Sequence, residues 1–395
     1  MKYVFLVPDG MADLPLDELD GQTPMQAART PNWDKLADDG LVGAVQTVPA
    51  DMYPGSDAAN MSLLGYDPKK YYTGRGPIEA VAMQVPLDKG DVAFRCSLVA
   101  TDGDNMIDYS SGHITTEESR VLIELVDQKL GGHELKFYPG VGYRHIMVWR
   151  GGSPDVKTTQ PHEIGGATLS PYWPEGDNAD RLQQLMYDSL ELLDNHEINR
   201  RRREEGKNPG NMIWLWSPGF APSLPTFASV HGRGGAVITA VDVVRGLARA
   251  TGLEIVEVPG ATGYIDTDYE AKARYALAAL ERLDFVYIHV ETPDESGHEG
   301  NIEHKIRSIE DIDKKVVGTL LAGLPKLGPY RILVAPDHMT PISLRGHEEG
   351  PVPFLLYDSE KPNRASHFPF DERAVQEAST QVDDGTRLIR MLFAE

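Results

Sequence analysis

The chain has 395 residues, 41% hydrophobic and 25% charged, with a formal net charge of −22. That length allows two or three domain-sized units, and the acidity argues against nucleic acid or an anionic membrane as partner. One cysteine, Cys96, excludes an intramolecular disulfide framework and any cysteine-rich zinc site. No stretch reaches the roughly 18 apolar residues of a membrane span, and the N-terminal apolar run is too short for a signal peptide, so a cytoplasmic location is expected.

Tyr3–Val7 reads as a strand that closes on Pro8-Asp9-Gly10. A helix follows near Pro31–Gly40, with Thr30 as N-cap, Pro31 at its first position and Gly40 closing it. Next come a short strand, Gly43–Val48, and the polar turn Tyr53-Pro54-Gly55-Ser56-Asp57. Ser56 then starts a helix over Asp57–Leu64. Serine there fits a plain N-cap, and it equally fits an exposed, oriented oxygen where anions are favoured.

From Ile78 to Asp180 the pattern changes. Strand-like pieces (Val92–Val99, Met106–Tyr109, Leu135–Tyr138, His145–Trp149) are joined by short turns. One strong helix, Thr116–Leu130, is opened by Thr115 with Glu118 three residues on. This predicts a smaller α+β unit, 78–180, inserted into a larger domain formed by 1–77 and 181–395. A helix near Ala179–Glu204 ends in four arginines, Arg200–Arg203, read as a solvated helix end near the negative pole of its dipole. Strands are expected at Met212–Trp216, Ala236–Thr239, Glu254–Glu257, Phe285–Glu291, Arg331–Ala335 and Pro353–Tyr357. Helices lie between them, notably Asp268–Leu283 and Glu303–Leu321. The fold class is therefore α/β, a doubly wound, mostly parallel sheet with helices on both faces.

Three expected strands end alike, with an aspartate just after a proline: Asp9, Asp294 and Asp337. A doubly wound sheet brings such loops to one edge, where α/β enzymes bind ligands. His298 lies four residues past Asp294, on the same side of a helical turn. His338 adjoins Asp337, and His347 follows nine residues later. Each pattern alone also fits an exposed turn; together they make an oxygen-and-imidazole set large enough for two metal ions.

The segments Pro8–Asp13, Pro54–Ala80, Gly90–Val99, Pro293–Gly300 and Pro336–Tyr357 resemble, in order, the archaeal-type cofactor-independent phosphoglycerate mutases of the alkaline phosphatase superfamily. The resemblance implies an alkaline phosphatase-like core in which Ser56 is the nucleophile and becomes phosphoserine. It groups Asp9, Ser56, Asp337 and His338 around one divalent metal, and Asp294, His298 and His347 around another. Mixed imidazole and carboxylate ligation favours manganese, with zinc or magnesium as alternatives. The implied activity interconverts 2-phosphoglycerate and 3-phosphoglycerate, a glycolytic step, without 2,3-bisphosphoglycerate. The implied partner is a small phosphorylated metabolite.

On the substrate side, Arg95 and Arg144 lie in matching segments as carboxylate or phosphate ligands. Asp108 is placed to handle glycerate hydroxyls, and Lys272, Arg75 and His162 are further candidates. Each of these also fits a strand-end ion pair. The inserted unit is expected to close over the sheet edge and keep water out. Two positions depart from the family pattern: Phe220 stands where a basic residue is common, and Ser110-Ser111 where an arginine is. A rival reading on the same fold is the related group proposed as homoserine kinases, although no Gly-rich Walker motif is present. Phosphatase or phosphopentomutase-like activity is a third reading. A non-catalytic metal-binding module is disfavoured by the full ligand set. The sequence does not fix the oligomeric state.

Overall fold

A computed structural model describes residues 1–362 and 368–394. The chain forms two compact units, Met1–Tyr72 with Leu224–Glu395, and Thr73–Ser223.

The larger unit is built on an eight-stranded sheet, in the order Glu254–Ile255, Ala236–Ile238, Phe285–Val290, Lys2–Pro8, Tyr330–Val334, Val352–Asp358, Leu41–Val45, Gln381–Val382. Lys2–Pro8 runs parallel to both of its neighbours, Phe285–Val290 and Tyr330–Val334. Val4, Phe5, Leu6 and Val7 are wholly buried. Near-continuous apolar runs are what a parallel strand covered on both faces requires, and each such side chain contributes about 1.5–3 kcal/mol through burial. Register aligns Pro8 with Val290 and Leu6 with Val334, so the three carboxyl ends emerge side by side. The sheet is mostly parallel, as expected, but Val352–Asp358 runs antiparallel to both neighbours.

Helix Pro31–Asp38 has Thr30 at its N-cap position, though the threonine side chain makes no capping bond. Asp268 caps Tyr269–Leu280 by accepting from Ala271 N. Asn301 caps Ile302–Asp311, which continues through π-helical turns at Ile312–Val317. Among the described residues no helix is long and apolar enough to cross a membrane.

The smaller unit has a five-stranded sheet centred on Asp91–Thr101, which pairs antiparallel with Arg144–Arg150 and with Met212–Phe220. Its core joins Phe94, Cys96, Leu98, Met147, Trp149 and Trp214 to helix residues such as Leu122, Val126, Leu182 and Met186. Helix Thr116–Leu130 is capped as expected, with the Thr115 side chain accepting from Glu118 N.

Three expectations are corrected here. The unit begins before Ile78 and extends to Ser223 rather than Asp180, because Met212–Phe220 belongs to this sheet. Met212 to Leu215 are wholly buried, and a strand covered on both faces reads like a parallel core strand whichever sheet it joins. The long helix expected near 179–204 is two, Ala179–Leu193 and Glu197–Glu204, with His196 capping the second. The arginine cluster is not all solvated. Arg202 is 3% exposed and donates to Ser111 O at 2.6 Å, Asn208 O at 2.8 Å and Glu118 at 2.6 Å.

Candidate metal centre

Asp9 directly follows the central strand, and the next residue shows how tightly the edge is packed. Gly10 has φ +57°, and a Cβ there would lie 2.4 Å from Thr340 Oγ1 and 2.6 Å from Asp294 Oδ1. Only glycine lets the chain turn this close to Thr340 and Asp294. Gly10 N donates to Asp337 Oδ1 at 3.0 Å, which joins the first loop to the last.

Ser56 opens helix Ser56–Leu63, while Gly55 takes the N-cap position. The serine hydroxyl is therefore not spent on capping. Its Oγ lies 3.1 Å from His338 Nε2. Behind it, Asn60 Nδ2 donates to both Ser56 O and Asp337 Oδ2 at 2.8 Å, and Tyr287 OH donates to Asn60 Oδ1 at 2.6 Å. One amide thus sets the spacing between the serine helix and Asp337.

His338 Nε2 lies 3.3 Å from Asp9 Oδ1 and 3.7 Å from Asp337 Oδ2. A second group surrounds Asp294, which shares helix Thr292–Glu299 with His298. His298 Nε2 is 3.3 Å from Asp294 Oδ2, His347 Nε2 is 3.4 Å from Asp294 Oδ1, and the two imidazole nitrogens are 3.1 Å apart. Such spacings match the roughly 3.3 Å edges of a tetrahedron with metal–ligand bonds of about 2.0–2.1 Å. The His338 and His347 rings are 4.1 Å apart, so the groups adjoin. Asp9, Ser56, Asp294, His298, Asp337, His338 and His347 are all brought to one place.

The electrostatics call for cations. Both carboxylate oxygens of Asp9 are buried without a hydrogen-bond partner, a state that is costly for an ionised group. Burial, then Asp337, Glu291 and Asp294, hold the Asp9 carboxyl well above its usual range. Burial also acts to raise Asp294, but the His298 and His347 imidazoles outweigh it and hold that carboxyl well below its usual range. His298 is itself opposed by burial yet pushed up to about 9 by Asp294. Burial takes His338 down to about 4, which leaves its imidazole neutral and able to ligate. The orphaned Asp9 oxygens beside the neutral His338 imidazole are a donor set that fits a divalent cation.

Reading the sequence missed several residues at this edge. His289, Glu291, Asn60, Tyr287 and Thr340 all take part. Thr340 Oγ1 donates to Asp294 Oδ1 at 2.5 Å. His289 offered one signal: a polar side chain inside an otherwise apolar buried strand needs a partner.

The expected substrate-side residues sit apart from one another in the sequence and differ in setting. Lys272 is fully buried in the larger unit, donating to His289 O at 3.2 Å, and burial lowers its amine to about 8. The others belong to the smaller unit. Arg95 is buried, ion-paired with Glu79 and 5.2 Å above the Trp216 ring. Arg75 donates to the same Glu79 at 2.7 Å. Ring contacts lead from Trp216 to His162, Tyr109 and Tyr143, over which Arg144 stacks at 4.4 Å. Asp108 accepts from Ser110 N, Gly112 N and Asn208 Nδ2 at 2.6–2.8 Å, organising its own turn.

A mostly parallel sheet whose carboxyl edge gathers donors that could hold divalent cations is the architecture of an α/β enzyme. Comparison with known proteins narrows the class. Residues 37–199 match the model of a family described as 2,3-bisphosphoglycerate-independent phosphoglycerate mutase. A Geobacter sulfurreducens protein named "Probable 2,3-bisphosphoglycerate-independent phosphoglycerate mutase" is 51% identical, with all of both chains covered. A Methanosarcina mazei protein with the same name, without the qualifier, is 45% identical over all of both chains. Among solved structures, the cofactor-independent phosphoglycerate mutase of Thermoplasma acidophilum is 27% identical with a TM-score of 0.62, covering 99% of each chain. The chain belongs to the 2,3-bisphosphoglycerate-independent phosphoglycerate mutase family.

Proposed function

We propose that this enzyme interconverts 2-phosphoglycerate and 3-phosphoglycerate through a phosphoserine formed on Ser56. The observation that carries the reading is the placement of Ser56 Oγ, uncapped at a helix N-terminus and 3.1 Å from His338 Nε2, beside the orphaned carboxylate of Asp9. A helix start favours the anionic phosphoryl group.

Asp9, Ser56, Asp337 and His338 would hold one divalent cation, and Asp294, His298 and His347 the other, with manganese the ion best suited to the mixed donors. Bound there, the cations supply a lowered serine pKa and charge to balance the phosphoryl oxygens. Ser56 Oγ takes the phosphoryl group from one hydroxyl of the glycerate and returns it to the other. Asn60 keeps the serine helix in register with Asp337 throughout. The glycerate must stay bound and turn between the transfers, with water excluded. In the smaller unit, Arg144, stacked on Tyr143, is the candidate ligand for the glycerate carboxylate. A phosphorylated metabolite as substrate suits a cytoplasmic enzyme.

The test offers 3-phosphoglycerate to manganese-loaded protein with no bisphosphoglycerate added. Formation of 2-phosphoglycerate is the expected result. Inertness toward it, with phosphohomoserine formed from ATP and homoserine, would overturn the reading.

A further inference from the structure

Lys305 is wholly buried on helix Ile302–Asp311, which follows the helix that carries Asp294 and His298. Its ammonium has three protons to give, and three oxygens receive them: Asp13 Oδ2 at 2.7 Å, Thr340 O at 2.8 Å and Ala12 O at 3.4 Å. Ala12 and Asp13 lie in the loop that Asp9 opens, and Thr340 in the loop of Asp337 and His338. Asp13 ties the same two loops a second time, because its carboxylate also accepts from Ile342 N at 3.2 Å. A buried ion pair is weak evidence for stability alone, since apolar side chains of similar volume often serve a fold as well. What sets this pair apart is where Thr340 leads.

The Thr340 hydroxyl gives its single proton to Asp294 Oδ1. Toward His338 Nδ1, 3.2 Å away, it can then only accept. Met339 O, 3.4 Å from the same nitrogen, also asks for a proton there. With that proton on Nδ1, the lone pair of Nε2, the nitrogen beside Asp9 and Ser56, is free for a cation. One threonine thus touches a ligand from each group, and the lysine holds that threonine by its carbonyl.

We propose that Lys305, paired with Asp13, is a positioning residue for both cation sites, acting through Thr340 on Asp294 and His338. The lysine itself ligates neither cation. The proposal rests on the two-cation reading of the catalytic centre.

Manganese affinity of the full-length protein, measured by competition with a chelating dye, decides it. The wild type should take up two ions. Lys305→Met should weaken both by about 10–100-fold. At saturating manganese its kcat should fall while KM for 3-phosphoglycerate holds, the mark of misplaced cations rather than lost substrate contacts. A lysine that only stabilises the fold would lower the melting temperature and leave affinity and kcat of the folded protein unchanged; that result would overturn the proposal. A loss confined to one ion would overturn it too. Where the single variant fails to fold, Lys305→Met combined with Asp13→Asn gives the same readouts without a lone buried carboxylate. Thr340→Val tests the relay separately and should also weaken both ions; unchanged affinity there would again overturn the proposal. Fewer than two ions in the wild type would instead remove the two-cation reading, and this proposal with it.

Discussion

Buried charge is handled in opposite ways in the two units. In the smaller unit it is matched by groups the chain itself provides: Arg95 by Glu79, and Arg202 by Glu118 and two backbone carbonyls. At the carboxyl edge of the larger unit, Asp9, Glu291, Asp294 and Asp337 crowd together, and both oxygens of Asp9 are left without a donor. A fold keeps an uncompensated cluster of that kind where something else supplies the charge. The contrast separates charges that hold a fold together from charges kept for a ligand.

The sharpest way to break the comparison is Ser56→Ala. Removing the nucleophile should lower mutase activity by roughly 10⁴-fold or more, while most of the metal stays bound. Rapid quench with labelled substrate should find no phosphoenzyme; a labelled phosphoenzyme in this variant would place the nucleophile elsewhere. Next in size is Asn60→Leu, which removes the amide holding Asp337 and the serine helix. Outer-shell losses of this type cost about 10–100-fold in metal affinity, readable by competition with a chelating dye. Unchanged affinity would reduce Asn60 to a packing residue.

Proton linkage gives a third test. His298, raised to about 9 beside Asp294, must lose its proton before it can ligate. Manganese affinity should therefore climb as pH rises toward about 9 and then level, with protons released into weakly buffered solution below that pH. In the metal-free protein the sign reverses. His298 has a folded pKa above its unfolded value, so the stability it contributes is complete below about 6.5 and is lost as pH rises through about 9. Thermal melts with and without chelator across that window would check both slopes. The smallest effect belongs to the smaller unit. Arg202→Met strands Ser111 O and Glu118, at about 1–3 kcal/mol, measurable by urea unfolding, with metal content unaltered.

Much of the candidate site was legible because each ligand loop begins where a proline breaks an apolar strand, and Asp9, Asp294 and Asp337 stand directly after those breaks. His298 and His347 followed from spacing and resemblance. His289 was hidden because it lies within the strand FVYIHV, where the apolar pattern dominates, and Asn60 because its position in a helix carries no motif. The sheet order suffered from a related ambiguity. Fully buried strands lose the alternation that tells one sheet from another, so Met212–Phe220 was expected in the wrong unit and the reversal at Val352–Asp358 went unseen.

The place of the first strand carries a consequence for how the molecule is made. Lys2–Pro8 is synthesised well before both strands that flank it, Phe285–Val290 and Tyr330–Val334. At about 5–20 residues per second, that strand waits on the order of 10–60 s for a partner. The smaller unit is one continuous stretch, Thr73–Ser223, and is complete long before then. Synthesis therefore finishes the inserted unit before the sheet of the larger unit can close around a much earlier strand, whose apolar side chains need shelter meanwhile.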